Sequence, residues 1–459
     1  MNHKTSFFAP LNLPASWRET FSPFPEGILR IEQRRVGIGA FVTNLGLKRI
    51  NASLMKSAFL LFLVCFTFLN GFAQSDSAIL AKNDSSHLAI SIRSSFEGNS
   101  NAIPNSMLSK ILWGGFMSRD FLSEIRSGLY DNQNRFGFEF RNQASVSWKS
   151  KRNEWQAGLK YRELLGLSFP IDLFGLAFLG NHSYEGQSAD LSNTKFNYIQ
   201  YTGASFGIKK QIRGGKSGAV CAGVSALYGA NYQTIKTKNT ILYTAPDAAY
   251  IEAKGDMQLQ YREPSPGFGL GLDLNYTFNW KKNTLFVSVE DVGFIHWQKV
   301  TSFEGNSTAT YKGTEIQNIR SFTGDSLFSD FSTRGFADRF GIKETQKSIT
   351  TLLPFAITAR YDRVLRNTKW KAILQAYYTY MPAYIPRLSA KLERSFANNW
   401  KVNAGLAYGG FGRENLLLGA SKIFTRNWSF NMETYFLGMA FLPKSSHGIG
   451  LSFGVRKGF

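Results

Sequence analysis

Long apolar runs, cysteine pairs and metal-binding spacings are almost absent from this sequence. The 459 residues contain two cysteines and five histidines, and no HxH, HExxH or CxxC spacing occurs. A structural zinc site and a disulfide framework are therefore not expected. Aromatic residues are abundant, with 40 Phe and 19 Tyr, although the mean hydropathy is only −0.19. This combination is typical of a membrane β-barrel, in which large apolar residues alternate with polar ones.

The one long apolar run is typical of an export signal. An apolar core of twelve residues begins two positions after Lys56, and small residues follow at Gly71 and Ala73. The run is too short to cross a bilayer as a helix. We therefore predict a signal peptide over 55–73 and a mature barrel over 74–459.

The segment before this signal and the charge of the mature chain bear on location and partners. Residues 1–54 show no periodicity, so we interpret them as the result of a start codon assigned too early; a genuine cytoplasmic extension is the alternative.

Removal of 1–73 takes away eight of the 53 Lys and Arg and three of the 32 Asp and Glu, which leaves a net charge of +16. Export argues against nucleic acid as the partner of this basic chain. Anionic lipid headgroups or a cation-lined lumen explain the charge better.

Strict alternation of apolar and polar residues predicts transmembrane strands. In segment 270–280 one face is entirely large and apolar, and the other is small or polar. The apolar face holds Leu270, Leu272, Leu274, Tyr276, Phe278 and Trp280; the other holds Gly271, Asp273, Asn275, Thr277 and Asn279. A soluble β-sandwich also alternates, but here aromatic residues often close the apolar rows, as they do at a membrane interface.

The same pattern recurs along most of the chain and predicts an all-β fold. The further strand candidates are 136–149, 155–162, 168–180 (more uniformly apolar), 196–210, 218–230, 284–298, 355–363, 370–380, 387–396, 400–409, 414–424, 428–436 and 449–459. The polar stretches 231–266 and 300–350 are predicted loops. There are about 15 candidates, and a barrel with both ends on the periplasmic side has an even number of strands. We predict one transmembrane antiparallel β-barrel of 14 strands, with 12 or 16 as alternatives, in the outer membrane of a diderm bacterium.

One segment has helical rather than strand periodicity. Between Pro104 and Leu129 apolar residues recur at spacings of three and four. We predict an amphipathic helix near the N-terminus of the barrel. It would plug the lumen, cap it, lie on the membrane surface or pack on the barrel to bury its apolar stripe.

The C-terminal segment ends an alternating strand with an aromatic residue. Ile449, Leu451, Phe453, Val455 and Phe459 share one face. This ending resembles the signal that the barrel assembly machinery recognises, so Phe459 is the predicted assembly residue and that machinery a predicted partner.

The segment 288–297 interrupts an apolar strand with two adjacent acidic residues. We single out Glu290, Asp291, Gly293 and Trp297 as a structural or lumen motif. Gly293 would permit a bulge, and the carboxylates would pair with lumen arginines and fix strand register; ligand binding is the alternative. Ser288 and His296 would have to share a face to act as a hydrolase pair. We predict no catalytic, cofactor or metal site and no enzymatic activity.

The phrases EDVGFIHW (290–297) and FPIDLFGLAFLGN (169–181), the preceding helix and the FAQ ending of the signal carry a family resemblance. The chain resembles uncharacterised Bacteroidota outer-membrane barrels that are similar in appearance to the fatty-acid-transporter-like barrels. The resemblance implies an outer-membrane barrel and assigns no activity. An Asn-Pro-Ala motif near the mature N-terminus, expected of the transporter-like group, is missing.

Two functions stay open at the level of the sequence. The first is passage or binding of a small or hydrophobic solute in a porin-like barrel. The second is a non-transporting membrane scaffold for a secretion or surface-attachment system. The expected partners are outer-membrane lipid and lipopolysaccharide, without nucleic acid and without a cofactor.

Overall fold

The structure is a computed structural model. It describes residues 87–459 except for 151–152, 213–216, 263–264, 312–342, 367–368, 425–426 and 436–444. The predicted extension 1–54 and the predicted signal 55–73 lie outside the described residues.

Strands dominate the described part of the chain, and seventeen of them form one antiparallel sheet. Their bounds are β1 Leu88–Ser100, β2 Asn134–Ser150, β3 Asn153–Phe169, β4 Gln187–Asp190, β5 Lys195–Ile212, β6 Ser217–Thr244, β7 Ile251–Arg262, β8 Gly267–Trp280, β9 Asn283–Tyr311, β10 Lys343–Leu352, β11 Ala356–Val364, β12 Trp370–Thr379, β13 Ile385–Ser395, β14 Trp400–Gly410, β15 Glu414–Ile423, β16 Trp428–Tyr435 and β17 Gly448–Gly458.

Fourteen of these strands close into a barrel, as predicted. The first and last strands pair from Ala89 opposite Gly458 to Asn99 opposite Gly448, which removes both sheet edges. β4, β7 and β10 do not belong to the closed circuit, because β5 pairs with β3, β6 with β8 and β9 with β11. We call the rim that carries Leu88 and Phe459 the terminal rim and the opposite one the far rim.

The predicted faces of the strands are correct. Leu270, Leu272 and Leu274 are 59%, 56% and 52% exposed and form part of an apolar outer surface. The intervening Asp273 and Asn275 line a cavity inside the barrel. An apolar exterior with a polar interior is the arrangement of a barrel whose wall meets lipid.

The far rim is raised on one side by a sheet extension, which corrects the predicted loops. Within 231–266 and 300–350 the structure contains the far ends of β6 and β9 together with β7 and β10. These segments and β4 form the rim extension, in the order β4-β6-β7-β9-β10. Hydrogen bonds from Ser302 and Gln258 and from the Lys347 ammonium lower the pKa of Glu304 to about 2 and tie its three outer strands together.

The predicted helical segment forms two helices, α1 Asn105–Trp113 and α2 Arg119–Ser127, because Gly114 at φ 80° ends the first one. They follow β1 and lie at the far rim. Their apolar residues pack on Phe136, Leu167 and Phe169, which belong to the outward-facing rows of β2 and β3. The pair therefore packs on the barrel wall and does not fill the lumen.

Helical structure is otherwise sparse in the described residues. The segment 168–180, a predicted strand, is instead the end of β3 followed by α3 Ile171–Phe174 and a π-helical turn over Gly175–Leu179, so that prediction was wrong. No helix in the described part of the chain is long and apolar enough to cross a bilayer.

The lipid-facing assignment predicts opposite responses at adjacent positions of β8. Leu274→Arg places a charge in the middle of the outer apolar row and should lower the free energy of unfolding by about 2–4 kcal/mol. Asn275→Arg, one residue further on and facing the cavity, is the matched control and should cost much less. Urea unfolding of both variants in phosphatidylcholine vesicles measures the difference; equal losses would contradict the assigned faces.

Candidate functional site in the lumen

A bulge in β9 directs two consecutive carboxylates into the barrel. Leu272 and Leu274 of β8 pair with Val292 and Val289, so Asp273 alone lies opposite Glu290 and Asp291. Asp291 adopts φ 59°, a left-handed conformation that Asp tolerates better than most residues. Its backbone N–H donates to Asp273 Oδ1 at 2.8 Å, which fixes the bulge.

Three cations from neighbouring strands surround the buried carboxylate of Asp291. Lys160 Nζ lies 2.6 Å from Oδ1, Arg162 Nε 3.0 Å from Oδ2, and Arg141 Nη1 3.5 Å from Oδ2. The Asp291 side chain is 0% exposed and that of Lys160 1%. Lys160 also reaches Asp273 Oδ2 at 3.0 Å. Burial at this depth is tolerated because each charge has an opposite partner at hydrogen-bond distance.

The ion pairs continue across the lumen and join opposite walls. Arg141 Nε donates to Glu139 Oε2 at 2.9 Å, and the hydroxyl of Tyr377 donates to the same oxygen at 2.7 Å. β2 and β12, which carry Glu139 and Tyr377, are seven strands apart in either direction around the barrel. A second ion pair across the lumen joins Glu97 of β1 to Arg387 of β13, which lies five strands away around the barrel. We call the following residues the charge network: Glu97, Glu139, Arg141, Lys160, Arg162, Asp273, Asp291, Tyr377 and Arg387.

An apolar layer lies next to the charge network on its far-rim side. Segments between strands turn inward and place Leu353, Met381, Tyr384 and Phe411 against wall residues. The full layer consists of Leu164, Ile199, Tyr201, Leu227, Tyr232, Ile295, Trp297, Val300, Leu353, Met381, Tyr384 and Phe411. Every one of these residues is at most 8% exposed, so together they form a buried apolar core inside the barrel at this level.

The motif residues Gly293 and Trp297 help to build this layer. A Cβ atom on Gly293 would collide with the carbonyl oxygen of Leu270, so the close approach of β9 to β8 requires glycine here. Trp297 is fully buried, stacks on Tyr232 at a centroid distance of 5.4 Å and donates from Nε1 to Thr351 Oγ1 at 2.8 Å. Glu290 accepts from Ser288 Oγ at 3.2 Å and faces the terminal-rim side.

A polar cavity of about 1140 Å³ occupies the terminal-rim side of the lumen. Its lining mixes basic side chains such as Arg93 and Lys401 with acidic ones such as Glu154 and Glu393. The charge network forms its inner end, because Arg162 and Asp273 also line it. The cavity can hold a small polar solute, and the apolar layer lies between it and the far rim.

The described residues do not assemble a hydrolase site. The bulge inverts the faces of β9, so Ser288 is buried towards the lumen whereas His296 is exposed on the outer side and bonds Thr350 at 3.0 Å. The GxSxG pattern occurs at 203–207 and 450–454, but both copies lie inside strands, without the turn and helix of a nucleophile elbow. No group of three or more potential metal ligands occurs among the described residues.

The predicted assembly residue lies where the sequence pattern places it. Phe459 is 54% exposed at the terminal rim, and its ring is 4.7 Å from Lys457 Nζ. It continues the outward row of β17. Recognition by the assembly machinery remains a prediction.

Sequence reasoning missed most of the charge network. Glu139, Arg141 and Asp273 fall on predicted polar faces, but nothing in the pattern shows which of them meet. Lys160, Arg162 and Tyr377 lie in strands of weaker alternation and have no local signal. The feature that could have identified them is a polar side chain on the lumen face of a strand. Such a side chain is a candidate partner for a carboxylate at the same height in the barrel.

Comparison with known proteins identifies a family. A family model described as "Family of unknown function (DUF5723)" matches residues 83–425. The chain belongs to this family. No curated protein matches the DUF5723 chain.

The chain is also similar to several solved structures, each at low sequence identity. A TodX deltaS2S3 mutant monoaromatic hydrocarbon channel is 11% identical to this chain, with a TM-score of 0.46. The match covers 84% of this chain and 93% of that structure's chain. The Ralstonia pickettii toluene transporter TbuX is 11% identical, with coverages of 85% and 96% and a TM-score of 0.43. A Pseudomonas aeruginosa FadL homologue is 10% identical, with coverages of 84% and 95% and a TM-score of 0.41. Likeness at this level does not assign a substrate.

Removal of the Asp291 charge should lower the free energy of unfolding far more than removal of a less buried lumen charge. Asp291→Asn keeps the shape and the left-handed backbone but leaves Lys160 and Arg162 buried without their shared partner, which should lower the free energy of unfolding by roughly 3–5 kcal/mol. Glu154→Gln breaks a more exposed lumen pair with Lys209 and should cost about 1 kcal/mol or less. Urea unfolding of refolded protein measures both; similar losses would show that the network does not stabilise the barrel.

Proposed function

We propose that this chain is an outer-membrane protein whose barrel is closed at mid-height and which acts as a membrane-held platform for its rim extension. The observation that carries the proposal is the contact between Glu139 and Tyr377 on opposite walls. A round barrel of this strand number would be roughly 25 Å or more across. A glutamate and a tyrosine cannot span that width, so the wall is drawn together at the level of the charge network.

The shape of the far rim supports the platform role. The extension strands rise on one side only, and their exposed surface is polar, with side chains such as Lys236, Lys238 and Gln258. An antiparallel sheet above the lipid level presents a fixed surface to a partner, which a set of short loops does not. The apolar outer wall below it supplies the anchorage in the membrane.

Passage of a small polar solute is a second candidate, and the cavity favours it. About 1140 Å³ next to the terminal rim is more space than side-chain packing requires. Flux through this barrel needs the apolar layer to open. The segments that carry Leu353, Met381 and Phe411 are the inward-turning parts of the wall, and they would have to move.

Single-channel recording distinguishes the two functions. The folded chain 74–459 should show no steady conductance in planar bilayers, and a variant lacking 104–129 should also be silent because its helices lie outside the lumen. Tyr377→Ala/Tyr384→Ala/Phe411→Ala removes three lumen side chains and should produce conductance. Steady conductance of the unmodified chain would overturn the closed-barrel proposal, and brief openings would favour gated passage.

Labelling of intact cells tests the proposed location and orientation. In a Cys221→Ser background, Lys238→Cys on the rim extension should react with a membrane-impermeant maleimide, because the far rim faces outward. Lys281→Cys, in the turn between β8 and β9 at the terminal rim, is the control and should react only after the outer membrane is opened. The reverse pattern would place the terminal rim outside, and no labelling in either state would argue against the outer membrane.

A further inference from the structure

Three consecutive hairpins repeat one outward-facing arrangement at the terminal rim. In each, a tryptophan begins the first strand, a cation lies directly opposite it on the second strand, and a phenylalanine follows the cation two residues later. The three sets are Trp370, Arg394 and Phe396; Trp400, Lys422 and Phe424; and Trp428, Lys457 and Phe459. We call each set a cation–aromatic sandwich.

The geometry of the three sandwiches is nearly identical. Arg394 Cζ lies 5.1 Å and 5.0 Å from the centroids of its two rings. Lys422 Nζ lies 4.8 Å from each of its rings, and Lys457 Nζ 4.9 Å and 4.7 Å from its own. Since the units recur every second strand, the cations are spaced about 10 Å apart along the rim.

The other half of the terminal rim has aromatic residues without this arrangement. Trp155 stacks on Phe206 at 5.5 Å, and Trp280 packs against Tyr361 at 6.0 Å. The nearby Lys209 pairs with Glu154 inside the lumen instead of lying on a ring. The sandwiches are therefore a property of the β12–β17 side and not of every aromatic residue at this level.

The sandwiched cations lie at the end of the apolar outer surface and have no acidic partner among the residues that the structure describes. Val402 and Leu406 continue the row of Trp400 into that surface. None of the ion pairs between described side chains includes Arg394, Lys422 or Lys457. Ring faces attract a cation but do not use up its N–H donors. Each sandwich thus offers free donors where headgroups meet the wall.

We propose that these three sandwiches bind the phosphates of anionic phospholipid headgroups in the leaflet next to the terminal rim. The phosphate accepts from the free N–H groups, and the exposed rings contact the glycerol and upper acyl region, where aromatic residues prefer to lie. The proposal rests on the membrane insertion proposed above. It commits to lipid, whereas free phosphate and the assembly machinery are alternative outcomes of its test.

Native mass spectrometry of the folded chain in a mixture of phosphatidylglycerol and phosphatidylcholine measures the proposed preference. The unmodified chain should retain phosphatidylglycerol preferentially. Arg394→Gln/Lys422→Gln/Lys457→Gln should lower the ratio of bound phosphatidylglycerol to phosphatidylcholine by about fivefold or more, which corresponds to roughly 1 kcal/mol for a cation near an anionic surface.

Two triple variants serve as matched controls. Arg394→Lys/Lys422→Arg/Lys457→Arg keeps every charge and should keep the preference. Lys210→Gln/Lys281→Gln/Lys282→Gln removes three exposed cations from the same rim, outside the sandwiches, and should also keep it. The heat-dependent gel mobility of each variant verifies that the barrel is folded.

Four results would overturn the lipid assignment. The first is that the unmodified chain shows no preference for phosphatidylglycerol, and the second is that both charge-removing variants lose that preference equally. The third is that inorganic phosphate displaces the lipid. The fourth is that the sandwich variant fails to reach the membrane in cells while its refolded form keeps the preference. The last result would assign the surface to the assembly machinery. Insertion into pure phosphatidylcholine without a lipid preference would end this inference and leave the proposed function standing.

Discussion

The burial of Asp291 is the interaction on which the interior of the barrel depends. An ion of this size loses several kcal/mol of hydration when it leaves water, and the loss is recovered only if partners are held at hydrogen-bond distance. Lys160, Arg162 and Arg141 supply those partners from β3 and β2. Buried ion pairs add little net stability compared with apolar packing. We therefore infer that the network chiefly specifies which strand levels face each other across the lumen.

The bulge that creates this site also divides β9 into two parts with different tasks. Alternation has a period of two, so one extra residue inverts every side chain beyond it. Below the bulge Phe286 and Ser288 face the lumen; beyond it Ile295 and Trp297 do. The inversion brings large apolar residues into the lumen on the far-rim side, directly beside the charge network. Charge and apolar closure thus follow from one backbone feature.

The sequence predicted the wall of the barrel well and its interior poorly. Thirteen of the barrel strands follow from alternation, which is enforced by lipid on one side of every strand. β1 lacks a clear alternation because its outward row includes Ser94 besides Ile90 and Ile92. The rim extension carries no such alternation, since above the lipid neither face of a strand must be apolar. The pairing of Asp291 with Lys160 joins residues 131 positions apart, and no local pattern encodes such a contact.

Glycine connects the unusual composition to the closed lumen. The ring of Phe411 lies where a Cβ on Gly137 would be and close to Gly166, and the Trp297 indole lies in the same way over Gly229 and Gly267. Any larger residue at these wall positions would push the ring back into the lumen. Aromatic residues in a barrel are usually explained by the membrane interface. Here a share of them is buried inside, and the bare backbone of lumen-facing glycines makes the room that lets two rings help to close a barrel of fourteen strands.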